Sequence, residues 1–401
     1  MEGDTHPHID FGGLLSSAEH WGIRALERLL EDTEEVLLGE LHREKTECGR
    51  QRYVRHGRRP RNLVTKMGKV TPWVTRVRDR LTGRVFSPLV EALGLGRKRY
   101  TPELRLAAAE LATRTSYEEA SQALERTLGF RIPRRTIWDF LQELADTLEI
   151  TLKETAPPPS EVTLRLSHSV DSTFVRGKRA REQHEVEVAI TQGQDHRVKL
   201  VGVAIDRRPG VALGDTEVHH LTTDDAPGLR ALDAEHRQLC HVHFVRHLAG
   251  LLGEEGVSLR EREEILSPLR GLLAHLRNSV EAHRYDGSVG TVTERVRVTL
   301  RELGVVGLRL ERAGCPQSAR FVLREMRSLV VFAEVGRELW MPATSNGVER
   351  VMGMIADRCK RKWAHWNRGL HNMVLALLAR KIRPVVYGVA TRKYLKARGY
   401  G

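Results

Sequence analysis

The sequence contains no run of roughly eighteen or more apolar residues, so it predicts no membrane-spanning helix. Nor does it open with a basic segment leading into an apolar one. MEGDTHPHIDFGG is acidic and polar, which argues against a signal peptide. Cysteine is scarce. Four of them (Cys48, Cys240, Cys315 and Cys359) are scattered through 401 residues, which excludes a disulfide framework and fits a reducing cytosol. Acids are outnumbered, with 52 Asp and Glu against 65 Lys and Arg, and the formal net charge of +13 points to a polyanionic partner, most often nucleic acid. The deficit is local. Residues 50–84 hold twelve Lys or Arg and one acid, Asp79. A merely solvated face would mix the signs, so Arg58, Arg59 and Arg61 are candidate DNA contacts.

With 40% hydrophobic residues the chain can bury an ordinary core, and its length allows two or three domains. Residues 14–47 read as one amphipathic helix, with leucines and valines recurring at three and four. The basic stretch that follows alternates apolar and polar residues around Gly68 and breaks at Gly83, predicting short strands or hairpins. These make up a first region, 1–100. From Thr101 the pattern turns helical: Thr101 precedes Pro102, and Ser116 precedes Glu119 by three, a capping-box spacing. After the turn LGFRI, Pro133 opens another helix whose first residues are Arg134, Arg135 and Thr136. Residues 101–155 therefore read as a helix-turn-helix presenting those three side chains to a major groove, or else as a plain helical hairpin. APPPSE at 156–161 is a linker, because three prolines cannot continue a helix. Strand-like segments follow: VTLRLSHSVDSTFV, EVEVAITQG, VKLVGVAIDR, EVHHLTTDD and RQLCHVHFV. Helical pattern resumes near Phe244 and runs to Trp340, a final helical block spans 345–382, and RKYLKARGYG is a basic tail with no structure assigned.

Asp171 closes the first of these strands and Asp224 another, so both are expected on one edge of a sheet, where two carboxylates can hold divalent cations. Glu349 falls in the first turns of a helix signalled by Thr344, Ser345 and Asn346, and would complete a two-metal site. Each acid alone is weak, since a strand-end Asp is more often a turn residue or cap.

Taken together, VDSTFV, TTDDAPGL, RQLCHVHFVRHL and TSNGVERVMGMIADRCKRK resemble the DDE transposases of the Mutator-like superfamily and their prokaryotic insertion-sequence relatives. That group carries a Cys-x-x-His element after its second aspartate, here Cys240 and His243 with Gln238, Phe244 and Arg246 around them. It also has a T-N-x-x-E-type sequence before a basic run, here Asn346 and Glu349 followed by Arg358, Lys360 and Arg361. The resemblance spans about half the chain, residues 162–362. It implies an α/β ribonuclease-H-like catalytic domain with a helical insertion, preceded by a mostly helical DNA-binding region. The boundaries would be 162–245 and 341–385 for the catalytic parts, 246–340 for the insertion and 386–401 for the tail. It implies Asp171, Asp224 and Glu349 as catalytic and metal-binding residues for two Mg²⁺ ions, with Mn²⁺ able to substitute. Cys240, His243 and Asn346 would support the site. Double-stranded DNA would be the substrate, a homodimer or larger assembly the working form, and the prokaryotic cytoplasm and nucleoid the location.

The family has three strands, a helix and a fourth strand between its aspartates. DRRPGVALGDTEV leaves little room for that helix, so the crossover is shortened or missing. The second acid falls in an Asp-Asp pair: the family pattern favours Asp224, with Asp225 the alternative. Cys240 and His243 also admit a structural zinc, with His241, His247, His219, His220 or His236 recruited, or plain core packing of Cys alternating with Val and Phe. Arg358, Lys360, Arg361 and Lys362 read as phosphate contacts or a solvated helix face. Trp340, Trp363 and Trp366 read as stacking platforms or core. A non-cutting DNA-binding protein and a metal-dependent nuclease without strand transfer remain the alternative functions.

Overall fold

The computed structural model describes residues 11–96, 98–155, 166–193, 195–224, 226–286, 289–335, 341–360, 364–366 and 369–398. The linker at 156–161, Asp225, Trp340, Arg361, Lys362 and Trp363 lie outside them. The chain forms two compact units, Met1–Thr151 with Val385–Gly401, and Leu152–Pro384. Among the described residues no helix is long and apolar enough to cross a membrane.

The first unit opens with α1 (Phe11–Arg43), whose inner face (Ile23, Leu26, Leu30) packs on Leu63, Val70, Val74 and Leu89. Five strands follow as the alternation predicts: β1 (Tyr53–Pro60), β2 (Leu63–Thr65), β3 (Gly68–Val70), β4 (Trp73–Asp79) and β5 (Val85–Phe86). The sheet β1-β4-β5 is antiparallel, and β2 and β3 form a separate hairpin. β1 carries a bulge between Arg55 and Arg58, where Gly57 adopts φ 112°, a conformation that favours glycine. Three glutamates of α1, spaced by four and three, accept the N–H groups of alternate residues running into and along β4. Glu27 takes Thr71 (2.6 Å), Glu31 takes Trp73 (3.1 Å) and the buried Glu34 takes Thr75 (2.7 Å). The helix thereby satisfies an edge that would otherwise be open to pairing.

After α2 (Pro88–Ala92) come α3 (Pro102–Ala112), α4 (Tyr117–Leu128) and α5 (Arg134–Glu154). The capping box at Ser116 and Glu119 forms, and α4 ends on Gly129 in the left-handed region. Ser121 Oγ donates to the Ile132 carbonyl (2.6 Å), fixing the turn into α5. Regions 1–100 and 101–155, read as separate from sequence, belong to one compact unit through residue 151.

The second unit is built on a five-stranded sheet of β6 (Ser167–Arg176), β7 (Gln183–Gln192), β8 (Val198–Ile205), β9 (His220–Thr223) and β10 (His236–Leu239). Its order is β8-β7-β6-β9-β10, antiparallel across the first three strands and parallel across the last three. The crossover from β8 to β9 is a short 3-10 turn, Val211–Leu213, as the cramped sequence suggested. The buried Glu187 holds that turn by accepting the N–H groups of Gly210 (2.7 Å) and Ala212 (2.9 Å). α6 (Pro227–Arg230) leads to β10.

The helical insertion comprises α7 (His241–Glu254), α8 (Leu259–Asp286), α9 (Val289–Arg312), α10 (Pro316–Glu325) and α11 (Val331–Val335). It has its own core, in which Phe244, Leu248 and Leu252 meet Leu269, Leu273, Leu303, Phe321 and Val322. α12 (Asn346–Cys359) packs on β6 and β7, and α13 (Leu370–Ile382) on β8.

Three sequence expectations change. RQLCHVHFV is not one strand: β10 stops at Leu239 and α7 begins at His241. Asp171 lies inside β6 rather than at its end, because pairing with β7 continues to Arg176. The basic tail folds as α14 (Pro384–Lys396), whose Tyr387, Ala390 and Tyr394 are buried while its charges face outward.

Candidate active site

Ser169 of β6 pairs with Thr222 of β9 in parallel register, and Asp171 and Asp224 each follow two residues later. Asp171 is still within β6 and Asp224 is the first residue past β9, so the register brings their backbones near the same end of neighbouring strands, which are about 5 Å apart. Each carboxylate has one local donor: the Ser172 N–H reaches Asp171 Oδ1 (2.8 Å), and the Ala226 N–H reaches Asp224 Oδ1 (3.0 Å). Burial pushes the Asp171 carboxyl up to about 6, against the Ser172 N–H. The charges of Asp224 and Glu349 push it further, with His243 opposing. The three predicted acids thus share one electrostatic neighbourhood.

Glu349 enters it on the first turn of α12. Residue 347 is glycine, and a Cβ there would lie 2.6 Å from Gln192 Oε1 on β7, so a larger residue would displace that side chain. Ser345 caps the helix, and its Oγ donates to Glu349 Oε1 (2.8 Å) while lying 3.3 Å from His243 Nδ1. The His243 ring nitrogen is 3.7 Å from the same carboxylate oxygen.

Cys240 ties the strand of one acid to the helix of another. Its N–H donates to the Thr223 carbonyl (2.9 Å), next to Asp224, and its Sγ accepts the N–H of Ser345 (3.2 Å). Nearby, the His241 N–H donates to the Ala343 carbonyl (3.1 Å) and Thr222 Oγ1 to the Pro342 carbonyl (3.1 Å). Cys240 caps α7 and His243 lies one turn in, so a spacing of three puts both on one helix face. Hydrogen bonding to Cys240 raises His243 to about 9, against its burial, and Glu349 and Asp224 add to the rise. Burial works against ionisation of the Cys240 thiol, yet the donors His243 and Ser345 hold it below its usual range.

Buried groups brace the turn from behind. Gln238 Oε1 accepts the Phe332 N–H (2.9 Å). His241 Nε2 donates to the Leu329 carbonyl (2.8 Å) and its Nδ1 faces the Arg277 guanidinium (3.1 Å). Burial lowers His241 to about 4, which keeps it neutral in that role.

Other predicted residues fall elsewhere. Asn346 is exposed at the helix start, and Ser345 beside it makes the supporting contacts instead. Its signal was present in the sequence as a cap-type residue before an apolar helix. Arg358 is 5% exposed and lies under Trp366 (5.2 Å), which removes it from phosphate contact; Lys360 is exposed. Trp366 is itself buried, its Nε1 donating to the Cys359 carbonyl (2.9 Å), so it is core and no stacking platform. His220 and His236 stack on each other (5.1 Å) at the start of the strands, and His247 packs on Phe321 (4.5 Å). Arg246 is exposed on α7.

In the first unit, Arg134 and Arg135 are exposed at the start of α5 with Thr136 half-buried beside them. Arg135 lies over Trp138 (4.0 Å) and 3.4 Å from Asp139. Arg58 and Arg59 are exposed on β1, Arg58 standing 3.6 Å from Glu31. Arg61 is tied inward, donating to the carbonyls of Gly96 (2.9 Å) and Lys98 (3.1 Å), so its guanidinium serves the fold.

No curated protein matches the chain. Residues 13–199, which reach from α1 through the strand bearing Asp171, match the model of an uncharacterised protein family, UPF0236.

Proposed function

We propose that the protein is a DDE-type transposase with a ribonuclease-H-like catalytic unit, of the Mutator-like kind. The observation that carries this is the pair Asp171, on β6, and Asp224, just past the end of the parallel neighbour β9, with the charge of Glu349 felt at Asp171. The sheet order β8-β7-β6-β9-β10 and a helical segment inserted between the second acid and the third support the same reading.

Three carboxylates with few donors among them form a hard-oxygen set suited to magnesium or manganese. Asp171, Asp224 and Glu349 would hold the ions, which when bound supply activation of an attacking oxygen and neutralisation of a leaving one. The chain's own part is positional. The β6–β9 register sets two carboxylates, and Ser345 holds the third. In the proposed reaction water attacks a phosphodiester at the element's end, the P–O3′ bond breaks, and the freed 3′-hydroxyl attacks a target phosphodiester, joining to its phosphorus as the target's own P–O3′ bond breaks and releases a target 3′-hydroxyl. Exposed Arg58, Arg59, Arg134 and Arg135 would bind the duplex ends through phosphates and base edges.

The test is cleavage and joining by the purified chain on a duplex carrying the element's own ends, with Mg²⁺ or with chelator. Mg²⁺-dependent nicking followed by strand transfer is expected, lost in Asp171→Ala and Glu349→Ala. Cleavage without joining would make it a nuclease, binding without cleavage a non-cutting DNA-binding protein. Cleavage unaffected by either substitution would remove the site assignment.

A further inference from the structure

We infer that Cys240, His243 and Glu349 form a second, softer metal site for a thiophilic divalent ion such as Zn²⁺ or Cd²⁺, overlapping the acid cluster at Glu349. A sulfur, an imidazole nitrogen and a carboxylate oxygen, one from each residue, lie within 4.8 Å of one another. Four-coordinate zinc, with bonds of about 2.0–2.3 Å, holds its ligand atoms about 3.3–3.8 Å apart. The His243 to Glu349 separation of 3.7 Å already falls in that range. Thiolate, imidazole and carboxylate together suit zinc far better than magnesium, which avoids sulfur. The surroundings are also those of a ligand set. Cys240 Sγ accepts a backbone N–H and Glu349 accepts the Ser345 hydroxyl, so two of the donors are oriented from behind.

The consequence for activity rests on the transposase reading; the site itself does not. Glu349 cannot serve both sets at once, so a soft ion at Cys240 and His243 withdraws it from Asp171 and Asp224. Zinc then inhibits a magnesium-dependent reaction by taking one of its three carboxylates.

Cobalt(II) titration of the full chain tests the site. One Co²⁺ per chain is expected, with a thiolate-to-cobalt charge-transfer band that Cys240→Ser abolishes, that His243→Gln weakens and that Asp171→Asn leaves in place. Circular dichroism melts establish that each variant is folded. Absence of binding at micromolar cobalt, or a band that survives Cys240→Ser, overturns the proposal. Micromolar Zn²⁺ in millimolar Mg²⁺ should lower wild-type cleavage about tenfold, and should lower Cys240→Ser cleavage far less relative to that variant's own zinc-free rate. Equal inhibition of both overturns the overlap. A cobalt band in a protein that cleaves nothing in any metal sinks the transposase reading and leaves the site standing.

A separate observation concerns α1. Its outward face carries Trp21 (76% exposed), Leu29 (62%) and Val36 (65%), with Ala25 between the first two and Ala18 one turn before Trp21, along one helical stripe. The exposed charges on and beside this stripe are mostly segregated: Arg24 and Arg28, with His20, in the first half and Asp32, Glu35 and Glu40 in the second, where Arg43 is the exception. We propose that the stripe pairs with α1 of a second copy of this chain, antiparallel. Centred near residue 30, such a pair sets Arg28 against the partner's Asp32, Arg24 against the partner's Glu35 and His20 against the partner's Glu40, while the small alanines admit close approach. A parallel pair would set like charges together. Sedimentation velocity of the full chain should show a dimer, dissociated by Trp21→Glu with Leu29→Glu. Arg28→Asp should weaken it, and adding Asp32→Arg should restore it. A wild-type monomer at high protein concentration, or a dimer indifferent to these changes, overturns the assignment.

Discussion

Glu143 in the first unit and Asp171 in the second are both carboxylates withdrawn from water, and their neighbours have opposite signs. Burial opposes ionisation at each. At Glu143 it is overcome by cations: Lys98 is ion-paired to it, with Arg105 at 3.5 Å and Arg398 at 3.4 Å, and the group sits below the usual carboxylate range. At Asp171 the neighbours are Asp224 and Glu349, and it rises to about 6. Asp79 repeats the first pattern, brought down to about 2 chiefly by its hydrogen bond from Arg52. Carboxylates the fold completes itself hold structure together. Those it leaves facing one another would, on the proposed reading, take a cation from outside.

The sharpest way to break this contrast is to neutralise one member of each kind. Asp171→Asn should lower Mg²⁺-dependent cleavage on the order of a thousandfold, with a melting temperature equal to or above wild type because a repulsion is removed. Glu143→Ala should do the reverse and cost about 3 kcal/mol or more in denaturant melts, since it strands the buried Arg105 without a counter-charge. If Asp171→Asn instead unfolds the protein, the division into structural and functional carboxylates fails.

Proton linkage separates the two groups by sign. The folded value for Asp171, about 6, lies above the unfolded value of about 3.9, so the folded state binds the proton more tightly. Its contribution is favourable at low pH and is lost as pH rises from about 4 through 6, by roughly 2–3 kcal/mol. Asp79, depressed to about 2, contributes stability above about pH 4 and loses it as pH falls toward 2. Urea melts of the metal-free protein between pH 4 and 7 should show the first effect as the difference between wild type and Asp171→Asn, over a shared rise with pH from buried His241, held at about 4. The smallest expected change is with divalent ion itself: Mg²⁺ at ten times its dissociation constant should stabilise wild type by about 1.4 kcal/mol, and Glu143→Gln equally. Asp171→Asn should gain almost nothing.

Much of this was legible before any coordinates. The order Asp171, Asp224, Cys240, His243, Glu349 named the residues that the fold brings together, and the capping box at Ser116 and the Thr101–Pro102 start marked helices that form. Short segments with mixed signals were misread. HVHFV alternates β-branched and aromatic residues like a strand, and its helical period shows only when Phe244, Leu248 and Leu252 are taken together. Arg358 looked like one of a basic run. On the helix it follows Val351 and Ile355 at spacings of four and three, the buried face, so its charge hid its direction. In the tail RKYLKARGYG only the charges stand out, because the apolar face of α14 is set by Val386, Tyr387 and Ala390 upstream of it as well as by Tyr394.

The return of the chain at α14 sets an order of assembly. Tyr394 and Arg398 complete the Glu143 cluster, and Tyr387 reaches Glu110 (3.3 Å), yet all three are translated after the whole second unit. On a ribosome, therefore, the second unit's sheet and the helix α12 packed on it can close while the first unit still lacks its final helix. A message broken before that helix yields a chain whose acids can converge but whose first half is left with Glu110 and Glu143 short of their partners.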